Sequence, residues 1–538
     1  MAQRNFGNTS GMALGTLISR ITGVVRDIVL VASIGTGIFS DTYSVANSLP
    51  NIIYILIAGG AINAVFIPVL VRRMNDDPDQ GKAFSDRLIT LVALVLGSVV
   101  IFSMALAPAI TNLYTTSSWS QRDLYVASIF TLWCLPQIFF YGMYTLFSQV
   151  LNARNVFVAP MFAPIINNLI VIATSLTFLS LHQNQPTTTS VTNTQIGLLG
   201  FGTTLGVVVQ AAILIPTLKR QGYSWRPRFD FRHTGLGQVG NLARWTIGFV
   251  FVNQISFLVL SNLATYANVI TTNNNGISTG FTSYQKAQLM MMLPHSIITV
   301  SIITALLPRL SRQSHHHDLV RFGHEMANTA RLVIGLIVPC AMLLFIAGPL
   351  LGQLMYGHGA SSQGQGQAVG QIASMFALGL PAFSMFYLLL RSYYAQENTK
   401  TPFFLNLAFN IGHLAIGVSL FAAVDTRFKV AALGFGYSAA YTATALVTWK
   451  LVSRRFSEMT QARIPVHVFK SIAASAAAAA VSWAVHVTLS MVMKSASIPS
   501  LIIDLAVMGL VFVATYLIVA QNMRVISISD LRGFRRVT

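Results

Sequence analysis

Charge is scarce in this chain. Only 9% of its 538 residues are charged, whereas soluble globular domains hold about a quarter. Hydrophobic residues make up 54% of the sequence, and the mean hydropathy is +0.63. This composition excludes a soluble enzyme or binding domain and indicates an integral membrane protein.

Cysteine and acidic residues are also rare. The two cysteines, Cys134 and Cys340, lie in apolar runs and lack the spacing of a disulfide framework or a zinc site, so we expect two small buried side chains. The 15 Asp and Glu residues face 34 Lys and Arg residues, which gives a net charge of +19. Such a basic excess indicates either a nucleic-acid partner or a topology signal, and its distribution along the chain decides between them.

Long apolar runs follow one another along the whole sequence. A helix that crosses a bilayer needs about 20 mostly apolar residues, because lipid cannot satisfy exposed backbone groups. The segments that meet this requirement are 9–33, 41–70, 86–112, 123–151, 157–181, 195–218, 236–266, 281–310, 324–350, 367–391, 402–424, 430–453, 466–491 and 498–520. The sequence therefore predicts an all-α polytopic membrane protein with about 14 transmembrane helices.

The basic residues are distributed unevenly among the loops. Most of them lie at the N-terminus, in loops after even-numbered spans and in the C-terminal tail, and loops after odd-numbered spans hold only Arg122, Arg427, Lys429 and Lys494. Lys and Arg concentrate on the cytoplasmic side of membrane proteins, so we expect both termini in the cytoplasm. The excess is then a topology signal and an attraction to membrane lipids, and we predict no nucleic-acid partner.

The sequence contains an internal repeat. "FSQVLNARN" (147–155) resembles "RSYYAQENT" (391–399) at an offset of 244 residues, and "IPVLVRR" (67–73) matches "LPRLSRQ" (307–313) at an offset of 240. Six spans separate the members of each pair, so both copies enter the membrane from the same side. The sequence predicts two parallel six-helix lobes, the architecture of an alternating-access transporter.

The repeat sets the predicted domain boundaries. Residues 1–235 form the N-terminal lobe with spans 1–6, and residues 236–460 form the C-terminal lobe with spans 7–12. Residues 461–538 hold spans 13 and 14 and a basic cytoplasmic tail.

Four ionisable residues lie in the first two spans. Arg20, Arg26 and Asp27 are in span 1, and Asp41 begins span 2. A charge at the bilayer centre costs about 2.5–3.5 kcal/mol on insertion scales, so it usually marks a functional site. Arg20 lies near mid-span, which favours a water-filled cavity over snorkelling to the interface. Arg26 and Asp27 fit either inter-helix ion pairs or a site, and Asp41 fits either a helix N-cap or a site.

Proline and glycine interrupt two spans. Pro50, followed by Gly59 and Gly60, breaks span 2, and Pro294, 244 residues after Pro50, breaks span 8. Broken helices in a bilayer line a cavity or form a hinge, and a simple kink is the alternative. We expect hinges at these four residues.

The order "SRITGVVRD…DTYSVANSLPNII…GGAINAVFIPVLVRR", together with "LPHSIITVSIITALLPRLS" (293–311), resembles the MurJ/MviN family. The resemblance covers essentially the whole chain. These are lipid II flippases of a superfamily that also holds multidrug exporters and polysaccharide flippases. The resemblance implies a transporter, not an enzyme, that moves lipid II to the outer leaflet of the bacterial cytoplasmic membrane for cell-wall synthesis and cell shape. Its substrate would be a polyprenyl-diphosphate-linked disaccharide-peptide.

The resemblance also assigns roles to residues. It implies that Arg20 and Arg26 line a cationic cavity for the diphosphate, and that Asp27 and Asp41 are the matching acidic positions for gating or ion pairing. The two C-terminal spans would hold the polyprenyl tail. Asp504 in span 14 is expected to be a lone neutral acid, with a contact to the tail as the alternative.

The chain departs from the family pattern at several cavity positions. Tyr54 and Ile55 stand where described members carry arginines, Gly59 stands where they carry a glutamate, and Leu289 stands near the position of another arginine. Either this cavity carries less positive charge than in described members, or side chains on other helices supply that charge. The candidates to supply it are Lys286 and Arg244.

No metal or cofactor is expected, and the driving force is the membrane potential or a monovalent cation. Cell-wall synthesis proteins are candidate partners. The alternative functions are an ion-coupled exporter of drugs or of another polyprenyl-linked glycan, and a transport-inactive cell-wall scaffold. Such exporters generally have twelve spans, so the extra pair of spans favours a large lipid substrate.

Overall fold

The computed structural model describes residues 2–59, 77–79, 81–182, 185–230, 240–274, 276–316, 318–492 and 497–525. Within its helices, the side chains of residues 2–14, 58–59, 240–244 and 315 are not part of that description. Over the described ranges the regular structure is entirely helical, which confirms the prediction of an all-α polytopic fold.

Nineteen α-helices, two π-helical segments and one 3₁₀ turn make up the described chain. The α-helices are α1 (Ala2–Ile34), α2 (Ile38–Tyr54), α3 (Lys82–Ala105), α4 (Ala107–Tyr114), α5 (Gln121–Cys134), α6 (Gln137–Ala153), α7 (Val158–Leu181), α8 (Asn193–Ala212), α9 (Leu214–Arg220), α10 (Gly240–Asn273), α11 (Phe281–Pro294), α12 (Val300–His315), α13 (Leu319–Tyr356), α14 (Gln363–Tyr394), α15 (Lys400–Ala423), α16 (Lys429–Arg455), α17 (Ser457–Gln461), α18 (Ile464–Val492) and α19 (Ile498–Asn522). The π-helical segments are Ile55–Gly59 and His295–Thr299, and the 3₁₀ turn is Thr426–Phe428.

Twelve stretches within the described residues are long and apolar enough to cross a membrane, and they correspond to predicted spans 3–14. Span 1 corresponds to α1, which is long enough but holds three charged residues in its apolar part. Span 2 corresponds to α2 and the first π-helical segment, and its remainder lies outside the described residues. The count of fourteen therefore stays a prediction.

Several helices begin with a capping box on the side that the sequence predicts to be external. In this motif a Ser or Thr hydroxyl and an acceptor three residues later satisfy each other's backbone N–H groups. The pairs are Ser120 with Asp123, Thr192 with Gln195, and Ser362 with Gln365, at the starts of α5, α8 and α14. Short polar loops thus supply the helix ends with the hydrogen bonds that lipid cannot give.

Two compact units divide the described chain. Unit 1 comprises residues 1–269 with the short segment 359–361, and unit 2 comprises the rest. The boundary falls within α10, so contacts place most of this helix with unit 1, whereas the repeat places it first in the C-terminal lobe. The two divisions rest on different criteria, and the lobe boundaries stay a prediction.

Unit 1 packs around the continuous pair α5 and α6. These helices contact α2, α3 and α8, while α7 contacts α1 and α8. In its core Phe39 stacks on Phe178 with ring centroids 6.0 Å apart, and Tyr43 meets Phe130 edge-on at 5.4 Å. This aromatic cluster holds the start of α2 against α5 and α7.

Unit 2 repeats part of this pattern of neighbours. Its central helix α14 contacts α11, α13 and α16, and α15 contacts α16. Span 10 thus has the partners in unit 2 that span 4 has in unit 1. The duplicated pattern supports two six-helix lobes of the same topology.

The π-helical segments occupy equivalent positions in the two copies. They begin at Ile55 and His295, 240 residues apart, which is the offset between "IPVLVRR" (67–73) and "LPRLSRQ" (307–313). Pro50 lies inside α2 and Pro294 ends α11. Proline removes a backbone N–H from the α-helical ladder, and a π turn is a frequent local response at functional sites. Gly59 ends the first π-helical segment, and Gly60 lies outside the described residues.

The helices α18 and α19 pack on each other and on α13. Ala474 and Ala478 are fully buried near Phe512, and Tyr516 donates a hydrogen bond to the carbonyl of Gly335 in α13 at 2.6 Å. Small residues on one helix therefore receive the large rings of the next.

The expectation that Asp504 is a lone acid is wrong, because it has a partner on the neighbouring helix. Its Oδ2 lies 2.7 Å from Nδ1 of His486 in α18, and both side chains are largely buried. Sequence periodicity could not pair the two, because it does not show which faces of α18 and α19 meet.

The segment that follows α9 is fastened to the first turns of α3. Tyr223 is buried and donates its hydroxyl to Oδ1 of Asp86 at 2.8 Å, and the backbone N–H of Arg228 donates to Oγ1 of Thr90 at 3.0 Å. Asp86 also accepts the backbone N–H of Arg226 at 3.3 Å. Residues 221–230, which lead toward the second lobe, are thereby held on unit 1 by two side chains of one helix.

An ion pair ends this segment. The guanidinium of Arg87 donates to the carboxylate of Asp230 and holds the pKa of that carboxyl below its usual range. The pair is therefore intact at neutral pH and is lost only when the pH falls through the lowered pKa.

Asp86→Ala is expected to loosen residues 221–230. Loss of this acceptor leaves the buried Tyr223 hydroxyl unsatisfied, which costs about 1–3 kcal/mol. Limited trypsin digestion of the purified protein should then cleave faster after Arg228. Asp230→Asn is the control and should change the rate little, because exposed ion pairs contribute little. Equal cleavage of Asp86→Ala and the parent protein would contradict this anchoring role.

Candidate functional site

The charged residues of α1 lie in unit 1, on a helix that packs against α7. Arg20 is half-buried, and Arg26 has 32% of its side chain exposed while Asp27 has 8%. The two arginines are separated by six residues, or about 9 Å along the helix axis. Both arginines keep part of their surface accessible, and the neighbouring carboxylate of Asp27 is buried.

Arg26 makes two kinds of contact. Its Nη2 lies 3.4 Å from Oδ2 of Asp27, and its Nη1 donates to Oδ1 of Asn168 in α7 at 3.2 Å. The ion pair thus joins two successive residues of α1, and the bond from Arg26 to α7 runs to a neutral amide. The alternative that Arg26 and Asp27 form ion pairs with other helices stays a prediction.

Asn168 is the residue of this site that the sequence reasoning missed. Its Nδ2 donates to the carbonyl of Ser19 at 3.1 Å and to Oγ1 of Thr22 at 3.0 Å, while its Oδ1 accepts from Arg26. One buried amide therefore holds three positions on two turns of α1. The signal was present as "NN" at 167–168 within an apolar run, because polar residues inside spans usually bond across helices.

The pairing leaves a net positive charge on the cluster of Arg20, Arg26 and Asp27. Asp27 offsets the charge of Arg26, and Arg20 adds one further positive charge. A paired and hydrogen-bonded guanidinium costs far less to hold in a bilayer than an isolated one. The site is thus cationic and yet compatible with a membrane-spanning helix.

Asp41 is fully buried in the first turn of α2. The N-cap interpretation is wrong, because Gly37 occupies the N-cap position. Oδ2 of Asp41 instead accepts a hydrogen bond from Nδ2 of Asn268 in α10 at 2.7 Å. The helix dipole also favours a negative charge in this first turn.

Neutral polar groups continue the site along α2. The hydroxyl of Tyr43 lies 2.7 Å from Oγ1 of Thr203, and the hydroxyl of Tyr54 donates to Oγ1 of Thr145 at 2.8 Å. Tyr54 stands where described family members carry an arginine, so a buried hydroxyl replaces a charge at that position.

A glutamine links three helices of the same region. Nε2 of Gln137 donates to Oγ1 of Thr204 at 3.0 Å and lies 3.4 Å from Oδ1 of Asn47, while its Oε1 accepts from the Tyr141 hydroxyl at 3.0 Å. Such a satisfied network fixes side-chain positions more firmly than isolated hydrogen bonds do.

The two further candidate cations lie on other helices. Lys286 is 9% exposed, on α11 in unit 2. Arg244 belongs to α10, and its side chain lies outside the described part of the chain.

Unit 2 has a buried aromatic cluster on α14, α15 and α16. Tyr437 meets Phe376 and Phe409 edge-on, with centroids 5.1 and 5.7 Å apart, and Tyr441 lies 4.6 Å from Tyr437. Nδ1 of His295 lies 2.9 Å from Oγ of Ser384 nearby. Chemically the two units therefore differ, since only the α1 cluster among these described groups offers arginines.

The α1 cluster is suited to anions. Guanidinium groups bind phosphate oxygens through a planar fork and stay protonated at any physiological pH. The described residues contain no group of three His, Cys, Asp or Glu side chains placed to hold a metal ion. Anion recognition is therefore the chemistry that this arrangement supports.

The sequence of this chain is similar to those of known proteins. A family profile described as "Lipid II flippase MurJ" matches residues 30–502. A Haemophilus influenzae protein named "Probable lipid II flippase MurJ" is 27% identical over 406 residues, which is 72% of this chain and 75% of that protein. A Burkholderia cenocepacia protein named "Lipid II flippase MurJ" is 26% identical over 395 residues, 72% of each chain.

Solved structures share the fold. One described as "Lipid II flippase MurJ, inward closed conformation" superposes with a TM-score of 0.73 at 20% identity and covers 95% of this chain and 99% of that chain. An inward-facing multidrug resistance MATE transporter of the MOP superfamily superposes at 0.63 and 12% identity, over 82% of this chain and 96% of that chain. Because the family profile spans most of the sequence, this chain belongs to the MurJ family of lipid II flippases.

Proposed function

We propose that this protein translocates lipid II from the inner to the outer leaflet of the bacterial cytoplasmic membrane by alternating access. The observation that carries the proposal is the family match over residues 30–502, which begins near the end of α1 and includes α2 and the later helices of both lobes. The cluster of Arg20, Arg26 and Asp27 supplies a site of the right chemistry for the diphosphate. The protein acts as a transporter, and catalysis is no part of this role.

The diphosphate is the part of the substrate that a bilayer cannot accept. Arg20 and Arg26 replace its hydration with charge-assisted hydrogen bonds while the polyprenyl tail stays in lipid. Asn168 and Asp27 hold the Arg26 guanidinium in place before substrate arrives, so little side-chain entropy is lost on binding. Asp27 also competes with the phosphate for the same guanidinium, which keeps the site weak enough to release its cargo.

The driving force in this proposal is the membrane potential or a monovalent cation. A negative headgroup moving outward gains about 2.3 kcal/mol per charge per 100 mV when the inside is negative. Both termini lie in the cytoplasm, as the loop charges indicate. Cell-wall synthesis proteins that consume lipid II are the protein partners expected on the outer face.

An ion-coupled exporter is the second candidate, because MATE transporters share the fold. The solved MATE structures cover 82–85% of this chain at 9–13% identity, against 95% for the MurJ structure. The more complete match favours the flippase. A transport-inactive scaffold is the third candidate, and transport assays separate it from the other two.

Depletion of the protein in its host should make lipid II unreachable from outside. An impermeant reagent that degrades or labels external headgroups measures the accessible fraction. Arg20→Ala and Arg26→Ala should fail to restore it, because the diphosphate loses its charged hydrogen bonds. Arg321→Ala, an exposed arginine outside the site, should restore it fully. Undiminished external lipid II after depletion, in a host without a second flippase, would refute the flippase proposal.

Asn168→Ala should weaken the binding of lipid II, because Arg26 loses the residue that positions it. The substitution removes no charge. Loss of its hydrogen bonds frees the guanidinium and two turns of α1, which we expect to lower the apparent affinity for lipid II about tenfold, or about 1.4 kcal/mol. Asn167→Ala is the matched control, since Asn167 donates to Oε1 of Gln210 instead. Lipid II binding to each purified variant gives the comparison. Equal affinities for the two variants would show that Asn168 does not position Arg26.

A further inference from the structure

Unit 1 includes a short segment from far along the chain. Residues 359–361 belong to the turn between α13 and α14, and they group with unit 1 although their chain neighbours on both sides belong to unit 2. The segment contacts the end of α1, where the backbone N–H of Ala360 donates to the carbonyl of Ala32 at 2.7 Å. The loop charges predict that both segments lie on the external side. We call residues 32–36 and 359–361 the external clasp.

Two glycines allow the backbones of the clasp to meet. Gly35 has φ +72° and Gly359 has φ +65°, a left-handed conformation that other residues rarely adopt. An added Cβ at Gly35 would lie 2.9 Å from the carbonyl oxygen of Ala360, and one at Gly359 would overlap the carbonyl oxygen of Ala32. Each side of the clasp therefore needs its glycine both for its own turn and for the space that the opposite backbone fills.

The α1 side of the clasp is anchored in the core of unit 1. Ile34 belongs to the same cluster as Phe39 and Phe178, and Thr36 is fully buried. On the other side Gly359 is exposed, and Ala360 next to it is half-buried. The turn is therefore the side of the clasp that can detach without disturbing a core.

Two buried hydroxyl groups weaken the closed clasp. Oγ1 of Thr36 and Oγ of Ser361 are buried, and neither has a hydrogen-bond partner among the described residues. A buried hydroxyl without a partner lowers stability, and it regains hydrogen bonds when it reaches water. Exposure of Ser361 on opening offsets part of the lost hydrogen bond between Ala360 and Ala32. The closed contact is thus easier to release than a fully satisfied one.

The helix that ends in the clasp also carries the proposed diphosphate site. Arg26 lies six residues before Ala32, or about 9 Å along the axis of α1. The other segment comes from the turn between α13 and α14, which the repeat assigns to the C-terminal lobe. An alternating-access transporter opens its two sides in turn by movement of its repeats. A contact between the substrate-binding helix and a turn of the second lobe is one that such a movement breaks.

We infer that the external clasp is a gate, which is closed while the headgroup of lipid II binds at the α1 cluster and opens when the headgroup leaves on the outer side. The inference rests on the proposed function, because a protein that transports nothing needs no exit gate. Gly35, Gly359 and the hydrogen bond from Ala360 close the gate, and the hydroxyl of Ser361 favours its release.

Cysteine labelling measures the opening of the clasp. Ser361→Cys is treated in spheroplasts with a membrane-impermeant maleimide, and the parent protein, whose two cysteines lie within spans, sets the background. Because Ser361 is 3% exposed, it should react slowly, whereas Gln363→Cys, at an exposed position two residues later, should react fast. Adding Gly359→Ala, which prevents closure, should raise the rate for Ser361→Cys about tenfold, the change that about 1.4 kcal/mol gives.

Gly222→Ala is the matched control. Gly222 also has φ +72°, but an added Cβ there would have no described atom within 4 Å, so this variant should leave the labelling of Ser361→Cys unchanged. The rate for Gln363→Cys should be the same with and without Gly359→Ala, which excludes misfolding. Fast labelling of Ser361→Cys alone, or a rate that Gly359→Ala does not raise, would overturn the inference.

Cross-linking tests the role of the clasp in transport. Ala32→Cys combined with Ala360→Cys is joined by a short bis-methanethiosulfonate, which a reductant reverses. External lipid II should fall to the level of depleted cells after cross-linking and recover after reduction, while each single variant stays active. Undiminished external lipid II with the cross-linked protein, or a double variant that does not cross-link, would contradict the gate. If depletion itself left external lipid II unchanged, the proposed function would fail, and the labelling rates would still decide whether the clasp closes.

Discussion

The bond between Arg26 and its two partners is the constraint on which this account depends. A bilayer offers no solvation for a guanidinium, so the charge must be offset within the protein or placed against water. Here Asp27 offsets it and Asn168 fixes it, while a third of the side chain stays accessible. The same three groups that allow α1 to lie in a membrane also prepare a site for an anion.

The lobes share a topology but not a chemistry. Each has a central span with equivalent neighbours and a π-helical segment at the same repeat position. The charged pair Arg26 and Asp27 lies on α1 in unit 1, whereas unit 2 has a cluster of aromatic rings around Tyr437 on α14, α15 and α16. The two units are therefore similar in topology and different in the side chains that they bury.

Much of the fold could be predicted from the sequence, because lipid leaves helices as the only practical solution for long apolar runs. The spans, the repeat and the candidate arginines follow from composition and spacing. The partners could not be predicted: Asn168 with Arg26, Asn268 with Asp41 and His486 with Asp504. Each pair joins two different helices, and only tertiary packing decides which faces of those helices meet.

The most direct test of the central claim is the equilibrium affinity of lipid II for the purified protein and for Arg26→Lys. Lysine keeps the positive charge but lacks the planar fork that contacts Asp27, Asn168 and a phosphate together. The account predicts binding about tenfold weaker, or about 1.4 kcal/mol, with an unchanged thermal unfolding midpoint. Equal affinity for the two proteins would show that the guanidinium geometry of Arg26 is not the basis of headgroup recognition.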